Sequence, residues 1–121
     1  MDRTQAERWI DGYERAWRSN ERADIEALFT EDGRYHTAPY RDPWTGHDDI
    51  VRGWTARTDG EGDWTFRSEV MAVDGDLAFI RGRTDYANGT SYENLFVVRI
   101  GEDGRASEFT EWFMDPAQDQ E

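Results

Sequence analysis

Near the amino terminus, apolar residues recur at three- and four-residue spacing. Ala6, Trp9, Ile10, Tyr13, Ala16 and Trp17 would share one side of a helix, with charged residues between them. Thr4 and Glu7 form a T-x-x-E pattern ahead of this run and predict the helix start, because both side chains can satisfy amides that a first turn leaves open. "SNER" interrupts the pattern. "ADIEALF" resumes it as a shorter helix with Ile25, Leu28 and Phe29 inward, and "TEDG" ends that helix. "RYHT" reads as a short strand. "APYRDPWTG" reads as a loop, since Pro39 and Pro43 disfavour helix for themselves and for the residues before them. Thr45 and Asp48 are placed to cap a third helix carrying Ile50, Val51 and Trp54, which "TDGEGD" closes.

From Trp64 onward the period is that of a strand. Asp74-Gly75, Asn88-Gly89 and Asp103-Gly104 are hairpin signals. They separate predicted strands over Trp64–Val73, Asp76–Ala87, Thr90–Ile100 and Arg105–Met114. A single domain over 1–116 with a frayed tail at 117–121 follows. Two-residue turns at the first two signals, and a loop over 101–104, pair Val73 with Asp76, Ala87 with Thr90 and Ile100 with Arg105. Directly opposed residues share a face, and a register slip of one residue turns a strand over while a slip of two does not.

This register puts Trp64, Phe66, Ser68, Val70 and Ala72 on one face with Leu77, Phe79, Arg81, Arg83 and Asp85. The same face continues through Tyr92, Asn94, Phe96, Val98, Ile100, Phe109, Glu111 and Phe113. Being the more aromatic, it should meet the helices. The other face carries Thr65, Arg67, Glu69, Thr84, Ser91, Glu93 and Glu108 around an apolar centre of Met71, Ile80, Leu95, Val97 and Trp112. A half-apolar outer face predicts a homodimer through Ile80, Leu95, Val97 and Trp112.

Composition removes several classes of function. The 121 residues fit one domain, and the absence of cysteine excludes disulfides and thiolate chemistry. Two histidines are too few for a structural zinc site, so no metal or other cofactor is expected. The formal net charge of −13 argues against nucleic acid and anionic membranes as partners. All basic residues are arginine, which fits either GC-rich coding or life in high salt; neither speaks to function. With no apolar run near the ~20 residues of a membrane span and no signal-peptide pattern, a soluble cytoplasmic protein is expected.

Candidate chemistry sits on the inward face. Arg83, Asn94 and Glu111 would lie side by side across three strands, and charge in such a place is costly unless paired. The row is either a satisfied structural network or a base, Glu111, held by Arg83, with Asn94 orienting substrate or water. Arg81 and Asp85 make a second pair on that face. Strand alternation sends His36 away from Tyr35 and Thr37, hence out of a cavity that Thr37 faces; His47 reads as a solvated residue in the first turn of helix three.

From end to end, "YERAWRSNERADIEALFTEDGRY", "PY", G-x-x-x-I, "VDGDLAFIRG", "YENLFVVRI" and "GRASEFTEWFMDP" resemble a SnoaL-like member of the nuclear transport factor 2-like superfamily. The resemblance implies an α+β fold: three amino-terminal helices packed in a strongly bent antiparallel sheet, a cone around a pocket. It says little about activity, because this fold hosts isomerases, cyclases, dehydratases, hydrolases and noncatalytic carriers. Set against the superfamily's ketosteroid isomerases, Tyr13 matches their oxyanion-donating tyrosine. Thr37 and Phe96 fall where they carry an aspartate base and a protonated aspartic acid, so their activity is not expected. The SnoaL-like cyclases use a histidine and an aspartate; Glu111 falls near one such position, but Phe109 stands where the histidine would be. The resemblance also makes "APYRDPWTG" the rim of the cone.

The expected site is therefore an apolar pocket with Glu111 as base, Tyr13 as donor to a developing oxyanion, and Arg83 with Asn94 tuning and orienting. Trp17, Tyr35, Thr37, Tyr40, Trp54, Phe66, Arg81, Tyr92, Phe96, Phe109 and Phe113 are the expected contacts to an apolar or aromatic small molecule. Such a protein would do cofactor-free acid–base chemistry (isomerisation, cyclisation, dehydration or hydration), or would be a noncatalytic binding module for an apolar metabolite.

Overall fold

The computed structural model describes residues 1–57 and 63–114. The expected domain end at 116, the tail at 117–121 and most of "TDGEGD" lie outside the described residues.

Helix α1 spans Arg3–Ser19 and buries Ala6, Trp9, Ile10, Tyr13 and Ala16, the stripe its spacing predicts. It starts earlier than Thr4 and Glu7 imply. Asp2 is the N-cap and forms the capping box with Gln5, each side chain bonding the other's backbone N–H at 2.9 Å. At the other end Asn20 takes the left-handed conformation and donates its N–H to Ala16 O. Helix α2 (Arg22–Glu26) is shorter than predicted, and Phe29 opens strand β1 (Phe29–His36) instead of closing a helix. Ile25, Leu28 and Phe29 are all buried, as their spacing implies. Part of the expected loop is also strand: β2 (Trp44–Thr45) pairs antiparallel with β1 through Arg34↔Thr45 and Tyr35↔Trp44. Thr45 therefore cannot cap helix α3 (His47–Thr55), whose N-cap is Gly46 with no side-chain cap. Asp48 and Asp49 instead set negative charge against its first turn.

Strands β3 (Trp64–Asp74), β4 (Leu77–Tyr86), β5 (Ser91–Ile100) and β6 (Ala106–Met114) make the predicted meander. The sheet order is β2-β1-β6-β5-β4-β3, a curved sheet that does not close. It is not wholly antiparallel, since β1 runs parallel to β6, with Tyr35 beside Phe109. The helices pack on its concave side around Phe109, whose ring lies 4.6 Å from Tyr35, 5.4 Å from Tyr13, 5.5 Å from Phe96 and 5.6 Å from Trp9. Truncating such a ring to alanine costs about 3–5 kcal/mol. Trp9 is held by its indole N–H, which donates to Leu28 O at 3.0 Å.

β4 is one residue off the expected register against β5, and against β3 it is two residues off at the turn and one beyond a bulge. β3 pairs with β4 through Asp74↔Leu77 and Val70↔Ile80, with Met71 bulged out between. β4 pairs with β5 through Gly82↔Asn94 and Thr84↔Tyr92. The inward residues of β4 are thus Ala78, Ile80, Gly82 and Thr84, while Phe79, Arg81, Arg83 and Asp85 face outward. Gly82 is required there: a Cβ would lie 2.8 Å from the Phe66 ring and 2.9 Å from the Phe96 ring. β5 and β6 pair as Phe96↔Glu111 and Val98↔Phe109, two residues from the expected register, so their faces are as predicted.

Candidate functional site

A cavity of about 440 Å³ opens between the concave face of the sheet, α1 and the C-terminal end of α3. α1 supplies Tyr13 and Trp17, and α3 supplies Trp54, whose indole N–H donates to the Asn20 side chain at 3.1 Å. The αL residue that ends α1 therefore also fixes one wall of the cavity. β1 contributes Tyr35, and Thr37 follows just past its end, both in the lining. Phe96, Tyr92 and Phe113 line the sheet side. All eight were expected site residues, Tyr13 as the donor and the other seven as contacts.

Asn94 and Glu111 meet on the cavity wall. Asn94 Nδ2 donates to Glu111 Oε2 at 2.9 Å, and Asn94 Oδ1 accepts from Thr84 Oγ1 at 3.2 Å. The amide is thereby oriented from behind by β4 and holds the carboxyl in front on β6. Burial pushes the Glu111 carboxyl up to about 7, although the Asn94 bond and the charge of Arg57 both oppose the rise. Opposite, the hydroxyls of Tyr13 and Tyr35 lie 3.4 Å apart and share a hydrogen bond. Burial is the main cause that raises both phenols above their ordinary range, and Glu111 raises them further, so both remain neutral donors.

Four expected site residues are elsewhere. Arg83 does not accompany Asn94 and Glu111; it lies opposite Glu93 on the outer face, with ion pairs to Glu93 at 3.3 Å and Asp85 at 3.2 Å. Arg81 is exposed on that face, 4.0 Å from Glu93. Both errors follow from the turning-over of β4. Phe66 and Phe109 pack in the core and do not line the cavity, Phe109 being fully buried. A fifth expected contact, Tyr40, is 78% exposed on the rim loop, beyond the lining.

His36 lies on the outer side as expected, its Nε2 3.0 Å from Glu108. His47 is half-buried and donates to Phe29 O at 2.9 Å, so it ties α3 to β1 and is not the solvated residue expected. Ile80 also changes place: it is fully buried inside, and half-buried Phe79 takes its position on the outer face beside Val97.

Trp44, Arg57, Thr84 and Tyr86 line the cavity and were not expected to. Trp44 stacks on Tyr35 with ring centres 4.9 Å apart. Arg57 follows α3, with its guanidinium carbon 5.5 Å from the centre of the Trp44 ring. Arg57 and Glu111 are the two charged residues of the lining. Among the described residues no three His, Asp or Glu side chains converge as metal ligands, and no described helix is long and apolar enough to cross a membrane. What this arrangement can do is hold an apolar molecule between a carboxyl that titrates near neutrality and a pair of neutral hydroxyl donors.

No curated protein matches the chain significantly in sequence. Solved structures do match in fold. An NTF2-like protein of unknown function from Mesorhizobium loti is 25% identical with a TM-score of 0.69, covering 94% of this chain and 95% of that one. A ketosteroid isomerase-like protein from Erwinia carotovora atroseptica is 21% identical with a TM-score of 0.66, covering 96% of this chain and 100% of its own. An NTF-2 like protein of unknown function from Burkholderia xenovorans is 12% identical with a TM-score of 0.73, covering 93% and 85%. The SnoaL-like domain profile matches residues 6–109, nearly the whole of the described fold. The chain belongs to the SnoaL-like domain family, within the nuclear transport factor 2-like superfamily.

Proposed function

We propose that the cavity is the site of a cofactor-free proton-transfer enzyme acting on an apolar or aromatic carbonyl compound. One observation carries this reading: Glu111, its carboxyl raised to about 7, faces the same cavity as the hydrogen-bonded hydroxyls of Tyr13 and Tyr35. A base with a pKa near the working pH combines a useful ionised fraction with enough basicity. Glu111 as carboxylate removes a proton from the carbon beside the carbonyl. The carbonyl oxygen takes up the negative charge, and Tyr13, supported by Tyr35, donates to it. Asn94, held by Thr84, keeps the carboxyl in place while the proton moves. Return of the proton to another carbon of an unsaturated carbonyl compound gives isomerisation; its transfer from Glu111 to a hydroxyl on the next carbon, which leaves as water as the carbon–carbon double bond forms, gives dehydration.

Thr37 and Phe96 stand where the ketosteroid isomerases carry their carboxyl groups, so the activity in the Erwinia protein's name is not transferred to this chain. The apolar lining supports the alternative of a noncatalytic binding module for an apolar small molecule. Exchange of α-protons in D2O, followed by NMR with 2-tetralone as probe, separates the two. An enzyme accelerates the exchange, the rate rises with pH and levels off above about 7 as Glu111 ionises, and Glu111→Gln abolishes it. Equal exchange in wild type and Glu111→Gln refutes the assignment and leaves the binding module.

The outer sheet face is the proposed homodimer surface. Leu95 is 36% exposed, Trp112 40% and Met114 72%, and they flank half-buried Phe79 and Val97. Apolar groups gathered on one face of a sheet in so acidic a chain fit a second copy of the same face.

A further inference from the structure

The cavity has one cationic residue, and its setting is built with care on three elements. Arg57 stands four residues after Gly53 and so on the same side of the helical segment. Gly53 is where Trp44 of β2 lies against α3: a Cβ on Gly53 would sit 2.4 Å from the indole. The indole is thus pressed between the α3 backbone and the Tyr35 ring, and the Arg57 guanidinium is placed over it. Arg57 makes no ion pair with a described residue, in a chain with 27 acidic side chains against 14 arginines. Arg8, Arg15, Arg41, Arg67 and Arg105 also lack an ion pair with a described residue, but of these six arginines Arg57 is the one that lines the cavity. The charge of Arg57 also reaches inward, since it lowers both Tyr35 and Glu111 against the effect of burial.

We infer that the cavity takes a molecule with an aromatic or other apolar body and a carboxylate-like anionic group, and that Arg57 binds the anion at the mouth while the body lies along Trp44, Trp54 and Phe96. The inference rests on the reading of this cavity as a small-molecule site and names the class of molecule. A guanidinium is suited to the task, because its planar fork meets a carboxylate with two parallel N–H donors. Trp44 holds that plane in orientation. Such a ligand puts its charge at Arg57 and its apolar part towards Glu111 and the tyrosine pair, where an ionised group would be desolvated without a cation to meet it.

The test compares 2-naphthoate with its neutral analogue 2-naphthamide, each titrated at pH 6 by calorimetry and by quenching of tryptophan fluorescence. Wild type is expected to bind the naphthoate about 10- to 100-fold more tightly, the range for a charged hydrogen bond. Arg57→Gln should remove that preference while affinity for the amide stays within about twofold. Arg57→Lys should keep part of it, having the charge without the fork. Equal or tighter binding of the amide by wild type overturns the inference, as does a preference that survives in Arg57→Gln. Binding is read without turnover, so a failed role for Glu111 in proton transfer leaves this result standing. Failure of both probes to bind wild type overturns the small-molecule reading of the cavity and the anion site with it.

Discussion

Replacing Glu111 with glutamine should make the protein less sensitive to alkaline pH. The amide has nearly the shape of the carboxyl and can still accept from Asn94, so the change isolates the charge. Glu111 has no ion-pair partner among the described residues; Arg57 acts on it from across the cavity, and Tyr13 and Tyr35 facing it are neutral. Burial lifts its carboxyl from the ordinary 4.5 to about 7, so the folded protein holds this proton more tightly than the unfolded chain does. The associated stability is fully present below pH 4.5 and is lost as pH rises through about 7. Each tenfold change in proton affinity is worth about 1.4 kcal/mol, which makes the whole effect about 3 kcal/mol at most. Roughly 2.5 kcal/mol of it falls between pH 5 and pH 8.5. Urea melts of wild type and Glu111→Gln at those two pH values measure it. The stability of the variant relative to wild type should improve by about 2–3 kcal/mol from the lower to the higher pH, equivalent to roughly 10 °C in Tm. Every other titrating group is common to both proteins and cancels. A difference that is the same at both pH values refutes the claim that a buried, unpaired carboxyl faces the cavity.

Gly82→Ala should cost about 1–3 kcal/mol in urea melts, because the added methyl meets the rings of Phe66 and Phe96 below 3 Å; unchanged stability would mean those rings have room to retreat. Val97→Arg puts a charge into the outer apolar face and should be monomeric in sedimentation velocity where wild type is the proposed dimer; a variant that still dimerises would place the interface elsewhere, and a monomeric wild type would refute the dimer. Tyr13→Phe should slow α-proton exchange about 100-fold, as loss of one oxyanion donor does, with the fold preserved by circular dichroism; an unaltered rate would remove Tyr13 from the mechanism.

The helical half was legible where burial follows a period, and less so at element ends. Ala6 to Ala16 fixed the inward face of α1 because a helix has no other way to hide a three-and-four spacing. The cap was misread because Asp2 and Gln5 fit the same geometry as Thr4 and Glu7, and only the tertiary start of the helix chooses between them. Trp44 escaped notice as a wall residue because its strand is two residues long and exists through pairing with β1, a pairing that has no local signal in "APYRDPWTG". Arg57 escaped for a similar reason: one arginine past a helix end says nothing until the indole beneath it is placed.

The error in β4 has a mechanical origin, and so does the survival of the site. All three Gly-containing dipeptides mark real turns, but the loop length sets which residues oppose. At the first, Gly75 takes the leading loop position with φ 62° and Asp76 follows, so Asp74 pairs with Leu77. At the second, Tyr86 O accepts from Gly89 N–H and Tyr86 N–H donates to Thr90 O; the loop has three residues, with Gly89 at φ 92°. The first loop moves the pairing by two and the bulge at Met71 takes one back, whereas the second loop moves it by one, so beyond the bulge β4 turns over relative to both neighbours while β3 and β5 keep their relation. Between β5 and β6, a three-residue loop closed by Gly101 and Arg105 adds one, and the bulge between Arg99 and Ile100 adds another. Two single shifts restore the faces, and Asn94 and Glu111 remain on one wall. The strand itself held a warning: Arg81, Arg83 and Asp85 share one parity, and the other parity from Ala78 to Tyr86 has no charge. Turning β4 over removes the arginine that would have neutralised Glu111 and brings in Thr84, which only steadies Asn94. That substitution of a hydroxyl for a guanidinium leaves the carboxyl unpaired, and an unpaired carboxyl in an apolar cavity is what a base titrating near neutral pH requires.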